Sequence, residues 1–254
     1  MHASPRGRSS NPMAPLVSAP RLSIVIPVYN EAAIVASAVA ELAQGLDERG
    51  LSWEMVLAEN GSKDETPAIL ARLSEQDARV RSLHVGKPNY GAALKAGILA
   101  ARGELVVCDE IDLGDLRFYE AALEVLKDAN VDLVVGSKAA KGAVDRRPLL
   151  RRVATRVHNG ILRLLLGFQG TDTHGLKAFR RERLLPVVEA CVVDRDVFAS
   201  ELVIRAWRAG LRVLEIPIEL REKRKPTVDL YKRVPNVLKN VAKLFWVVRL
   251  KGGA

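Results

Sequence analysis

The sequence predicts an α/β fold, a mostly parallel, Rossmann-like sheet flanked by helices. Two observations carry this prediction. Short apolar runs at Leu22–Pro27, Glu54–Ala58, Val80–Val85, Leu105–Cys108 and Val131–Val135 alternate with longer helical stretches. That alternation is the pattern of right-handed βαβ units on a parallel sheet. Each run also ends in a polar turn, so one sheet edge collects Tyr29 and Glu31, Glu59 and Asn60, Asn89 and Tyr90, then Glu110 and Asp112. Open α/β sheets place ligands at the carboxyl ends of their strands, so this edge is the expected site.

Residues 1–20, rich in Ser, Pro, Arg and Ala without periodicity, are expected to be a disordered leader. Residues 21–220 are expected to form the main α/β domain and 221–254 a basic, amphipathic C-terminal segment. The first strand is closed by Pro27, which has no N–H to give a ladder. Asn30, in the turn Val28-Tyr-Asn-Glu31, is placed to cap a helix from Ala32 to about Gln44. Glu54–Ala58 runs into the turn Glu59-Asn-Gly-Ser-Lys-Asp64, followed by a helix over Thr66–Gln76. After Val80–Val85 the loop Gly86–Gly91 leads to a helix over Ala92–Ala101.

Leu105–Cys108 is bounded by Gly103 and by the carboxylates Asp109, Glu110, Asp112 and Asp115. Carboxylates so crowded repel one another unless a cation or protons compensate. A divalent metal is one reading, and a solvated acidic turn is the other. A helix near Phe118–Asp128 and the strand Val131–Val135 follow. Arg146–Arg152 opens a basic helix toward Gly167, whose Val153, Val157, Ile161, Leu164 and Leu165 face either core or membrane. A helix from Phe198 to about Gly210 leads into a strand at Arg212–Ile216. Its Glu201 faces either the site or a surface ion pair.

At 254 residues with a net charge of +9, the chain suits one large α/β domain or two small ones, with an anionic partner. Its apolar runs fall well short of the roughly 20 residues of a membrane-spanning helix, and no secretory signal is visible. Two cysteines, Cys108 and Cys191, make a disulfide framework unexpected and fit a reducing cytoplasm. No Gly-x-x-x-x-Gly-Lys-Ser/Thr and no Gly-x-Gly-x-x-Gly follows the first strand, which disfavours P-loop kinases and dinucleotide dehydrogenases. From Arg221 to Lys251 ten basic residues stand against two acids. Leu230, Val234, Val237, Leu238, Val241, Leu244, Phe245 and Val248 share a helical face there, with Trp246 beside it. Such a helix suits an anionic membrane surface; docking on the domain's own core or on an oligomer partner is the alternative. Nucleic acid is not expected, because no aromatic stacking platform accompanies the charge.

Ser23-Ile-Val-Ile-Pro-Val-Tyr-Asn-Glu31, Glu59–Asp64, Asn89-Tyr-Gly-Ala-Ala-Leu-Lys-Ala-Gly97 and Glu110-Ile-Asp112 together resemble family 2 glycosyltransferases of GT-A fold. The likeness continues through Val135-Gly-Ser-Lys138, Asp172–Arg181 and Leu214-Glu-Ile-Pro217, and is most similar to dolichyl-phosphate mannose synthases and related polyprenyl-phosphate glycosyltransferases. It implies a metal-dependent, inverting transfer of sugar from a UDP- or GDP-linked donor to a polyprenyl phosphate, by an enzyme peripheral on the cytoplasmic membrane face. It places nucleotide contacts at Pro27, Tyr29, Glu31, Glu59, Asn60 and Lys95. Glu110 and Asp112 match an Asp-x-Asp pair that holds Mg²⁺ or Mn²⁺, with Asp112 also catalytic. Lys138 and Arg224 match basic residues facing the acceptor phosphate. An anionic acceptor needs cations for positioning more than a general base.

Departures leave alternatives open. Glu110 replaces an Asp, and Gly114 replaces a glutamine for which Asp115 could substitute. His174 and Leu176 replace Ser and Phe in the acceptor-side loop, where a hydrogen-bonded loop histidine is the plain reading of His174. A transferase acting on a soluble or protein hydroxyl, or a silent nucleotide-sugar-binding scaffold, remains possible on these residues.

Overall fold

The computed structural model describes residues 19–146, 148–193, 197–220 and 230–250. Most of the expected leader and the run 221–229, which holds Arg224, lie outside the described residues. The strands are β1 (Leu22–Val28), β2 (Trp53–Glu59), β3 (Val80–His84), β4 (Leu105–Cys108), β5 (Leu133–Ser137), β6 (Val144–Asp145), β7 (Lys177–Arg180), β8 (Val213–Pro217) and β9 (Glu219–Leu220). The helices are α1 (Val35–Glu48), α2 (Thr66–Gln76), α3 (Tyr90–Ala100), α4 (Leu116–Val125), α5 (Leu149–Leu166), α6 (Arg181–Ala190), α7 (Phe198–Arg208) and α8 (Leu230–Phe245), the last running into a π-helical turn at Trp246–Leu250.

Seven strands form one sheet in the order β3-β2-β1-β4-β7-β5-β8, and β6 pairs with β9 in a small second sheet. Every pair in the large sheet is parallel except those of β7, which runs antiparallel to β4 and β5. The expected α/β, mostly parallel sheet is therefore present, with a reversed strand at its centre that the sequence pattern did not announce. Side chains alternate across the sheet at the strand period of two. Ile24, Ile26, Leu57 and Val107 pack with α1, α2 and α4 on one face. Val25, Val56, Val106 and Phe179 pack with α3, α5, α6, α7 and α8 on the other.

Three local expectations are corrected. The first helix begins at Val35, and its N-cap Ile34 gives no side-chain hydrogen bond. Asn30 instead sits in the left-handed region at φ 54° and serves the site. Of the apolar stripe expected on the C-terminal helix, Val241, Leu244 and Val248 are buried in the core beside α5, while Leu238 is exposed. Glu201 is fully buried, paired with Arg205 at 2.7 Å, so it neither faces the site nor makes a surface ion pair.

Pro27 is tolerated inside a central strand because of where its nitrogen points. Val25 accepts from Asp109 N–H on the β4 side, and Val28 accepts from Asn60 N–H on the β2 side. Alternation turns Pro27 toward β4, whose pairing with β1 stops at Val25. No ladder bond is lost, and a gap opens at the sheet edge.

Candidate active site

The edge that the strand ends form is stitched together loop by loop. Asn30 donates its N–H to Ser62 Oγ at 2.9 Å and accepts from Lys63 N–H at 2.8 Å. Glu31 N–H reaches Thr66 Oγ1 at 2.9 Å, which leaves the turn after β1 clasped to the turn after β2. Glu59 is buried and accepts the Ser62 N–H at 2.5 Å while contacting the His84 imidazole. Burial alone would raise its pKa, but hydrogen bonds from Ser62, Gly61 and His84 outweigh it and hold the carboxylate low. Asn60, also buried, accepts from Asn89 N–H at 2.5 Å, tying in the loop before α3. Tyr29 stands 40% exposed at the rim. The expected nucleotide residues Pro27, Tyr29, Glu31, Glu59 and Asn60 thus share one edge.

Lys95 does not join them. Its ammonium donates to Glu189 O at 3.0 Å and Cys191 O at 2.6 Å, capping the C-terminal end of α6. Unpaired helix carbonyls attract a cation, which explains the diversion.

The acidic turn after β4 divides its carboxylates by burial. Asp109 is 2% exposed, accepts from the buried Tyr119 hydroxyl at 2.6 Å, and is pushed by burial up to about 7. Glu110 is exposed and Asp112 half-buried, both open to the edge. Asp115 is used elsewhere. It caps α4 through Arg117 N–H and pairs with the Arg117 guanidinium at 3.0 Å. Cys108 is buried and its thiol is pushed up to about 12, which keeps it unreactive.

Beyond β4, the loop that feeds β7 supplies the remaining groups. Lys138 and Asp172 form an ion pair at 2.7 Å with both side chains buried. Burial would raise Asp172, but the Lys138 charge and hydrogen bond hold it low. Glu215 on β8 fixes this loop by accepting from Thr171 N–H at 2.6 Å and Asp172 N–H at 3.2 Å. His174 N–H donates to Asp172 at 3.0 Å, and the His174 ring lies edge-on to His158 of α5 at 5.2 Å. Lys138 also borders a pocket of about 160 Å³ lined by Ala139, Asp145, Arg152, Thr155 and Arg156. With Lys138 paired to Asp172, the lining adds two further cations, Arg152 and Arg156, against one carboxylate, Asp145. Sequence reasoning saw the basic start of α5 but did not bring Arg152 and Arg156 to Lys138, because that meeting depends on how α5 crosses the sheet edge.

Among the described residues no group of three or more His, Cys, Asp or Glu side chains could hold a metal ion. Mg²⁺ and Mn²⁺ on a diphosphate need only one or two carboxylates, the phosphates and water completing the shell. Glu110 and Asp112, hard oxygen donors open to the edge, fit that requirement.

The family model for glycosyl transferase family 2 matches residues 23–186. The chain belongs to this family. Glycosyltransferase AglD of Haloferax volcanii is 31% identical over 97% of this chain and 40% of its own length. A dolichyl-phosphate beta-glucosyltransferase of Trichomonas vaginalis, ALG5A, is 30% identical over 79% of this chain and 66% of its own. A dolichyl-phosphate hexose transferase of H. volcanii is 30% identical over 80% and 83%. The chain thus spans two fifths of the first relative and about two thirds of the second. Among solved structures, glucosyl-3-phosphoglycerate synthase of Mycobacterium tuberculosis with Mn²⁺, UDP and glucosyl-3-phosphoglycerate aligns at TM-score 0.63 and 21% identity, over 89% of this chain and 80% of that one. That likeness establishes a shared GT-A fold.

Proposed function

We propose that this family 2 glycosyltransferase moves a hexose from a UDP- or GDP-linked donor to a polyprenyl phosphate, with inversion, at the cytoplasmic face of a membrane. The observation that carries the reading is the basic pocket of Lys138, Arg152 and Arg156 on the same strand-end edge as Glu110 and Asp112. A phosphate oxygen of the acceptor attacks the anomeric carbon as the bond to the nucleoside diphosphate breaks. The electron pair leaves with the diphosphate, and no proton need be removed because the acceptor is already an anion. Lys138, Arg152 and Arg156 orient that acceptor, and Tyr29, Glu59 and Asn60 form the nucleotide end. Glu110 and Asp112 would hold Mg²⁺ or Mn²⁺, which when bound neutralises charge on the departing diphosphate. The names of two curated relatives support dolichyl phosphate as the acceptor type, and the neighbour crystallised with Mn²⁺ and UDP supports metal and nucleotide.

Membrane contact is assigned to α5 more than to α8. Leu149, Leu150, Val153, Val157 and Leu164 of α5 are exposed apolar residues, interleaved with Arg151, Arg152 and Arg156. From α8 and its last turn only Leu238 and Trp246 add large exposed apolar surface among the residues whose side chains are described. Among the described residues no helix is long and apolar enough to cross a membrane.

A second reading rests on Asp145, the one carboxylate of the pocket, which could serve as base for a hydroxyl on a soluble phosphorylated acceptor. The neighbour bound to phosphoglyceric acid is such a case. The deciding experiment incubates the protein with radiolabelled UDP-glucose or GDP-mannose, Mn²⁺, and either polyprenyl phosphate in vesicles or 3-phosphoglycerate. Label entering the lipid extract, undiminished in Asp145→Asn, is the expected result. Label only on the soluble acceptor, abolished in Asp145→Asn, would establish the second reading instead.

A further inference from the structure

Two buried lysines serve this edge, and their electrostatic situations differ. Lys138 is already neutralised by Asp172 at 2.7 Å. Lys177, 2% exposed, opens β7 directly across from Cys108, two residues before Glu110. Its ammonium donates to the Gly175 carbonyl at 2.8 Å, and no carboxylate among the described residues forms an ion pair with it. An ammonium carries three donors, and with the Gly175 carbonyl as its one hydrogen-bond acceptor among the described residues two of them are unmatched there. Nor can the loop easily carry the group outward, because Gly175 packs so closely on the Gly136 carbonyl that a Cβ there would collide. Burial lowers the Lys177 pKa, with Lys138 adding to the effect while Cys108, Asp172 and Glu110 oppose it.

Keeping a charge buried without an ionic partner is costly, and such groups concentrate where an incoming ligand completes them. We propose that Lys177 contacts the diphosphate of the sugar donor and stabilises the charge that develops on the leaving group. This rests on the nucleotide-sugar reading above. As the anomeric C–O bond breaks, the electron pair settles on the diphosphate oxygen, and the two unmatched N–H groups donate to it. The ammonium keeps its proton throughout. The two lysines then divide the work: Lys138 borders the acceptor pocket, and Lys177 stands beside the Glu110–Asp112 turn on the leaving-group side.

The test compares wild type with Lys177→Met and Lys177→Gln, the latter keeping an N–H for the Gly175 carbonyl while removing the charge. Calorimetry with Mn²⁺ measures affinity for UDP, GDP and the corresponding nucleosides, and melting is followed alongside. The expected result is a loss of about tenfold or more in nucleoside diphosphate affinity, with nucleoside affinity unchanged and a melting temperature equal to or above wild type. A merely structural lysine predicts the reverse, a lower melting temperature with unchanged diphosphate affinity. If Lys177→Met does not fold, Lys177→Gln is read by the same criteria. Wild-type affinity for the diphosphate in either folded variant overturns the proposal for Lys177 while leaving the donor reading intact. A wild-type protein that binds neither UDP nor GDP overturns both.

Discussion

The Lys138–Asp172 pair sets the energetics of the proposed acceptor side residue by residue. Both side chains are sealed from water, at 7% and 0% exposure. Removing one partner strands the other, a loss of about 3–5 kcal/mol, whereas removing both is close to neutral. Lys138→Met should therefore be markedly destabilised to urea, and Lys138→Met/Asp172→Asn should recover most of that stability while transfer stays low. Equal losses in the single and double variants would contradict the coupling. The pH dependence follows in sign. Asp172 has a lowered folded pKa, so its contribution is complete above its unfolded value near 4 and is lost as pH falls through the folded one. The double variant should lose that acid-side slope. In the metal turn, Asp112→Asn should cut turnover roughly a hundredfold or more and weaken Mn²⁺-dependent nucleotide binding, while melting stays near wild type. The carboxylate cluster was legible because like charges at a strand end need a reason. The pairing of Lys138 with Asp172 was not legible, since residues 34 positions apart meet through the central strand β7.

At the scale of elements, two amphipathic helices had the same sequence signature and found opposite uses. Val241 and Leu244 of α8 are buried in the core, while α5 leaves Leu149 and Leu150 at 68% and 56% exposure. Periodicity shows that a helix has an apolar face but not what covers it. Substitution separates the two cases. Leu244→Ala should cost about 2–5 kcal/mol by the cavity it opens. Leu150→Glu should leave the melting temperature within a degree or two and reduce sedimentation with vesicles. If Leu150→Glu instead unfolds the protein, the exposed face of α5 is wrong. The parallel strands were readable as apolar runs closed by turns. The reversed strand β7 was not, because Lys177-Ala-Phe-Arg180 is short and begins and ends in cations. Its place comes from pairing on both sides, a tertiary effect that outweighs a weak local pattern.

Across the whole molecule, the strand order sets the proposed donor and acceptor sides next to each other. β1, β2 and β4 carry or lead into the expected nucleotide and metal residues that share the edge, while Lys138 directly follows β5 and β8 carries the Glu215 clamp. Antiparallel β7 lies between the halves and starts at the edge where the parallel strands end, so its leading loop brings Asp172, and its first residue Lys177, to the edge between them. A net charge of +9 gives this arrangement a direction, because α5 sets arginines beside its exposed apolar residues. Each cation near an anionic bilayer contributes about 1 kcal/mol, an attraction that fades beyond a Debye length of about 10 Å at 0.1 M salt and about 3 Å at 1 M. Vesicle binding should therefore require anionic lipid and weaken steeply as salt rises, and Arg151→Ala/Arg156→Ala should lower the salt dependence as well as the affinity. Binding indifferent to salt and lipid charge would mean that the apolar stripe acts alone. Loss of all vesicle binding, with transfer to a soluble phosphate intact, would remove the membrane from the mechanism and favour the hydroxyl acceptor served by Asp145.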